Sequence, residues 1–66
     1  MNIILNGQPK QVADAANLQA IVEQFCRNTR HVIAEVNGTI VKSQQWVDKT
    51  LLEGDAIELV NLVGGG

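Results

Sequence analysis

Two residue types that many functions depend on are nearly missing from this chain. Its 66 residues hold one cysteine, Cys26, and one histidine, His31. A single thiol closes no internal disulfide, and the two residues together cannot assemble an iron–sulfur or Cys-rich zinc site, so no metal is expected. Aromatic residues are scarce too. Phe25 and Trp46 are the only ones, which leaves no stacking platform for bases. Positive charge is short: five Lys and Arg stand against seven Asp and Glu, for a net charge of −2. Lys10, Arg27, Arg30, Lys42 and Lys49 are scattered along the chain, whereas nucleic-acid binding needs a concentrated basic patch. No apolar run approaches the ~18 residues of a membrane span, and no basic-then-apolar leader opens the chain. The expectation is a cytoplasmic protein with neither a nucleic-acid nor a membrane partner.

What is present is a small, well-punctuated domain. Hydrophobic residues make up 45% of the chain, enough for one core but not for a deep enclosed pocket. Ile3-Ile4-Leu5 is a β-type run. Asn6-Gly7 follows it, a pair that tolerates the positive φ angles of a type I′ hairpin turn. Pro9 suits a strand start or an edge, and Lys10 to Ala13 reads as the returning strand. From residue 17 to residue 28 the period changes. Leu18, Ile21, Val22, Phe25 and Cys26 form one apolar stripe at helical spacing. Asn17 is placed to cap the helix, and Arg27 and Arg30 are placed to meet the negative end of its dipole. Val32 to Val36 returns to β character, Asn37-Gly38 is a second hairpin signal, and Thr39-Ile40-Val41 answers it. Residues 43–50 read as a short helical turn capped by Ser43. Glu53-Gly54-Asp55 is a turn, and Ala56 to Val63 is the last strand.

The order is ββ-α-ββ-β, an α+β chain with one helix for one sheet. One helix covers only one face of a sheet. Side chains alternate along the last strand, so if Ile57 and Leu59 face the helix, Glu58, Val60 and Leu62 face away from it. Ile4 and Ile33 are expected on that same outer face. An outward Val and Ile cluster on so small a domain points to a partner surface. The competing reading has residues 43–52, with Trp46, covering part of it. Trp46 itself either fills a satellite core or anchors a partner. Cys26 lies on the helix stripe and reads as packing rather than as an activated thiolate. His31 has no nucleophile beside it and reads as solvated or capping. Asp48, Glu53, Asp55 and Glu58 make the C-terminal third acidic, either as a solvated face or as a surface steered toward a basic partner.

The chain ends in Gly64-Gly65-Gly66. Glycine loses the most backbone freedom on ordering and adds nothing to a fold at its end. A side-chain-free arm is different: Val63 to Gly66 spans at most ~14 Å and passes a channel too narrow for other residues. Its terminus is an unhindered carboxylate. Ordering three glycines costs ~3–6 kcal/mol, which a docking face on the body of the domain would offset. The organisation expected is a domain over 1–63 and a flexible tail over 64–66.

The element order, the Leu52-Glu53-Gly54-Asp55-Ala56-Ile57 turn-and-strand, the Asn37-Gly38 hairpin, the Gln45-Trp46 segment and the terminal Gly65-Gly66 together resemble the ubiquitin-like β-grasp sulfur carriers, the ThiS/MoaD family, over the whole chain. Among them the thiamine-pathway members are the nearest in pattern. The resemblance implies a β-grasp fold, a mixed sheet of about five strands with one main helix on one face. It implies a protein co-substrate, monomeric when free, that is not itself an enzyme and binds no cofactor. An E1-like adenylyltransferase would use ATP to activate the Gly66 carboxylate, a cysteine desulfurase relay would supply sulfur, and a Gly66 thiocarboxylate would deliver it to thiazole synthase. Gly64 and Gly65 would thread the partner's active site, while Val60, Leu62, Glu58, Ile4 and Ile33 would form the interface. Val60 stands where these carriers often place a bulkier aromatic. Two alternatives share the same tail: the small subunit of molybdopterin synthase, and a modifier conjugated to lysine.

Overall fold

The computed structural model describes residues 1–62. β1 (Asn2–Leu5), β2 (Gln8–Gln11), α1 (Leu18–Phe25), β3 (Val32–Val36), β4 (Thr39–Val41) and β5 (Ala56–Asn61) follow in chain order, with 3₁₀ turns at Thr29–His31 and Ser43–Asp48. The sheet runs β2-β1-β5-β3-β4. The last strand is therefore the central one, parallel to β1 and antiparallel to β3.

Both hairpins turn at Asn-Gly. Asn6 and Gly7 have φ of 49° and 82°, Asn37 and Gly38 have 52° and 85°. These are the left-handed pairs that a type I′ turn requires and that suit the twist of the flanking strands. Two-residue turns leave no slack, so pairing resumes at once: Leu5 lies opposite Gln8 and Val36 opposite Thr39. β2 therefore spans Gln8–Gln11 and not the expected stretch from Lys10 to Ala13. Pro9 sits inside this edge strand, where a missing N–H costs no ladder bond.

α1 has its expected cap: Asn17 Oδ1 accepts the Ala20 N–H at 2.8 Å. The helix ends at Phe25, earlier than the apolar stripe suggests, because Cys26 is already extended. Asn28 then caps the next 3₁₀ turn by accepting the Arg30 N–H, a local bond that competes with continued helix. Arg27 and Arg30 accordingly lie beyond the last helical turn and not within it. The turn at Ser43–Asp48 is capped by Lys42, without a side-chain bond, in place of Ser43. The last strand closes at Asn61, and Val63 lies outside the described residues.

One face of the sheet makes the core. Ile3, Leu5, Ala34, Val36, Ile57 and Leu59 pack against Leu18, Ile21 and Val22 of the helix, together with Trp46 and Leu51. Trp46 is core and not a partner anchor: it is 3% exposed, and its indole N–H donates to Val41 O at 2.8 Å. Its segment is tied to the helix side by Leu18 N–H to Lys49 O and Leu51 N–H to Ala16 O. Residues 43–52 therefore do not cover the outer face of the sheet.

Candidate functional site

The outer face carries the residues singled out from the sequence. Val60 is 47% and Leu62 51% exposed, while Ile57 and Leu59 are buried beneath them. Ile4 and Ile33 are exposed on the same side. The alternation of β5 produces this split, since adjacent side chains point to opposite faces.

Register resolves the face into two groups. Ile33 lies directly opposite Val60, one ladder step from the Val32–Asn61 pair where β5 ends. Leu62 follows, its N–H bonded to His31 O at 2.7 Å. Ile33, Val60 and Leu62 thus surround the point from which the C-terminal segment departs. Ile4 is not with them. It pairs with Ala56, at the other end of β5, and with Pro9. Between the groups stands Glu58, opposite Glu35. Gly64, Gly65 and Gly66, and the expected boundary between domain and tail, lie outside the described residues.

The other candidates have structural roles. Glu53 and Asp55 accept backbone N–H groups, from Asn2 and Leu52 respectively, and Asp55 also accepts from Asn37 Nδ2. They hold the turn before β5. Cys26 is half-buried against the core, and burial pushes its thiol pKa up. Its thiolate, the reactive form, is thereby disfavoured. His31 is exposed and contributes its carbonyl to Leu62. Among the described residues no cluster of His, Cys, Asp and Glu could hold a metal, and no helix is long and apolar enough to cross a membrane. An open cleft of about 660 Å³ lies between β4 and the Ser43–Asp48 turn, lined by Val36, Asn37, Ile40 and Lys49 among others, at the end of β3 away from Leu62.

Sequence reasoning missed two residues that shape this site. Asn6 and Asn37 were accounted for by their turns alone. Their side chains also bond to β5: Leu59 N–H donates to Asn6 Oδ1 at 2.8 Å, and Ala56 N–H donates to Asn37 Oδ1 at 2.9 Å. Both turns therefore fix the strand that carries the C-terminal segment.

A five-stranded mixed sheet packed on one helix, with the final strand at its centre and exposed apolar side chains at that strand's end, defines a ubiquitin-like β-grasp domain. The chain belongs to the ThiS family, whose model matches residues 3–66. The sulfur carrier protein ThiS of Escherichia coli is 29% identical over 66 residues, covering the whole of both chains. A thiazole synthase of Paramagnetospirillum magneticum is 26% identical over all 66 residues, which make up 20% of its length. An uncharacterised protein, ycf40, of Trieres chinensis is 31% identical over 62 residues, 94% of this chain and 85% of its own. The crystal structure of the thiamine biosynthesis protein ThiS from Geobacter metallireducens superposes with a TM-score of 0.86 at 29% identity, covering all of both chains.

Proposed function

We propose that this protein is the sulfur carrier of thiamine biosynthesis, acting as a co-substrate through its C-terminal carboxylate. The observation that carries the reading is the extent of the family match, which runs through Gly66 and so includes the glycine tail. A carboxylate is a poor acyl donor. Adenylation by an E1-like enzyme, with ATP as the source of AMP and pyrophosphate released, would give Gly66 a leaving group. A persulfide from a cysteine desulfurase relay would displace AMP to form an acyl disulfide, and a second thiol would attack the relay cysteine's sulfur, forming a disulfide with it and releasing the Gly66 thiocarboxylate. Thiazole synthase would then take the sulfur. The match to a segment of a protein named thiazole synthase supports that acceptor over a molybdopterin or lysine acceptor, since a related module shares a chain with it.

In this reading Ile33, Val60 and Leu62 form the docking surface around the root of the tail, with Glu58 and Ile4 farther out. Apolar burial there would offset the entropy lost when Gly64 and Gly65 enter the partner's channel. The bond from Leu62 N–H to His31 O would fix where the arm begins. A variant lacking Gly65 and Gly66 tests the proposal. It should melt with the full chain yet support no ATP–pyrophosphate exchange by the activating enzyme. Exchange at the full-chain rate would refute it.

A further inference from the structure

Glu35 and Glu58 stand directly opposite each other on β3 and β5, on the sheet face turned away from the helix. Their pair is in phase with Asn37 and Ala56, where Asn37 N–H donates to Ala56 O at 2.7 Å. It is therefore a hydrogen-bonded pair, with Cα atoms about 5.5 Å apart. Like charges placed this way destabilise a sheet. The single ion pair among the described residues joins the Met1 ammonium to Asp14, so no described cation lies within ion-pair distance of either glutamate. Unlike Glu53 and Asp55, neither caps a backbone N–H. Two like-charged side chains with no ion-pair partner among the described residues thus sit beside the exposed Ile33–Val60 pair, with exposed Ile40 across from Glu35 on its other side.

We propose that this face takes a partner surface with an apolar centre and one arginine, whose guanidinium seats between Glu35 and Glu58. The inference rests on the docking face described under the proposed function and names its chemistry. Charge complementarity selects the occupant. A guanidinium is planar, presents several donors and can serve two carboxylates at once, which a lysine ammonium does less well. Apolar contact alone is non-directional and fixes no rotation, whereas the tail must enter its channel in one direction. An off-centre charge contact supplies that orientation. Glu58 is four residues before Leu62, so the arginine should lie roughly 13 Å along β5 from Leu62, the last described residue, at the strand rise of ~3.3 Å per residue.

The test is a titration of the activating enzyme with the full 66-residue chain, at low and high salt, using wild type, Glu35→Gln, Glu58→Gln, the double variant and Val60→Asp. Each single Gln variant should melt at or above wild type and bind at least about tenfold more weakly at low salt. Each should also lose part of the salt dependence. The double variant should lose less than the product of the singles, because both remove contacts to one cation. Gln variants that bind like wild type while Val60→Asp does not would overturn the arginine and leave the docking face standing. Full binding by Val60→Asp as well would overturn the docking face itself. Gln variants that melt well below wild type would make the pair structural and refute the proposal.

Discussion

Asn6 continues the parallel ladder between β1 and β5 with its side chain after its backbone has turned away. Leu59 N–H donates to Asn6 Oδ1 at 2.8 Å, and Asn6 Nδ2 donates to Leu59 O at 3.3 Å. The amide takes the place of a peptide unit that β1 would supply if it ran on, while φ of 49° at the same residue starts the hairpin. Asn37 repeats the device on the β3 side, accepting from Ala56 N–H. The central strand is thus held on both flanks by the residues that turn its neighbours.

Replacing Asn6 by glycine separates the two roles, since glycine keeps the positive φ and loses the amide. The loss leaves Leu59 N–H without its partner, and Asn6→Gly should cost about 1–3 kcal/mol in urea unfolding. An unchanged midpoint and slope would mean that the amide adds nothing to the turn.

Ala15 also has a positive φ, 59°, without a turn type that requires an L-residue there. It is exposed, so no packing is lost on its replacement. Ala15→Gly should relieve strain and raise stability by about 0.5–1 kcal/mol, after the added freedom of the unfolded chain is set against it. A fall in melting temperature would show that Ala15 is not strained.

The hairpin turns, the helix cap and the split between the faces of β5 were all legible in the sequence. Each rests on local chemistry: Asn-Gly tolerates positive φ, Asn17 caps, and Ile57 and Leu59 alternate with Val60. What was not legible is set by strands far apart in the chain. Alternation places Ile4 and Val60 on one face but does not say that β1 pairs with the start of β5, which puts Ile4 at the far end from Leu62. The pairing of Glu35 with Glu58 depends on the same register. The early end of α1 escaped because Cys26 continues the apolar spacing, while Asn28 commits the backbone to another turn. The second role of Asn6 was hidden because the turn already explained the residue.

Cys26 takes no part in the proposed chemistry. Burial holds its thiol above the usual range for cysteine, so alkylation at neutral pH should be slower than for a free thiol and should accelerate only at higher pH. Cys26→Ala should cost about 1 kcal/mol in packing and leave sulfur acceptance intact. Loss of acceptance in a folded Cys26→Ala protein would place the sulfur on the thiol.

Val60 points away from the core. Val60→Asp should cost about 1 kcal/mol, from strand propensity and the nearby Glu58, while the same change at buried Ile57 should unfold the domain. Thermal melts of the two variants check this, and a collapsed Val60→Asp would make Val60 a core residue.

The central claim is that the C-terminal carboxylate accepts sulfur. The most direct measurement is the intact mass of the chain after incubation with ATP, the E1-like activator and a sulfur donor, with fragmentation to locate any change. The account predicts a gain equal to the replacement of one oxygen by sulfur, at Gly66. An unchanged mass, with an activator shown to be competent on another carrier, would contradict it, as would a gain located at Cys26.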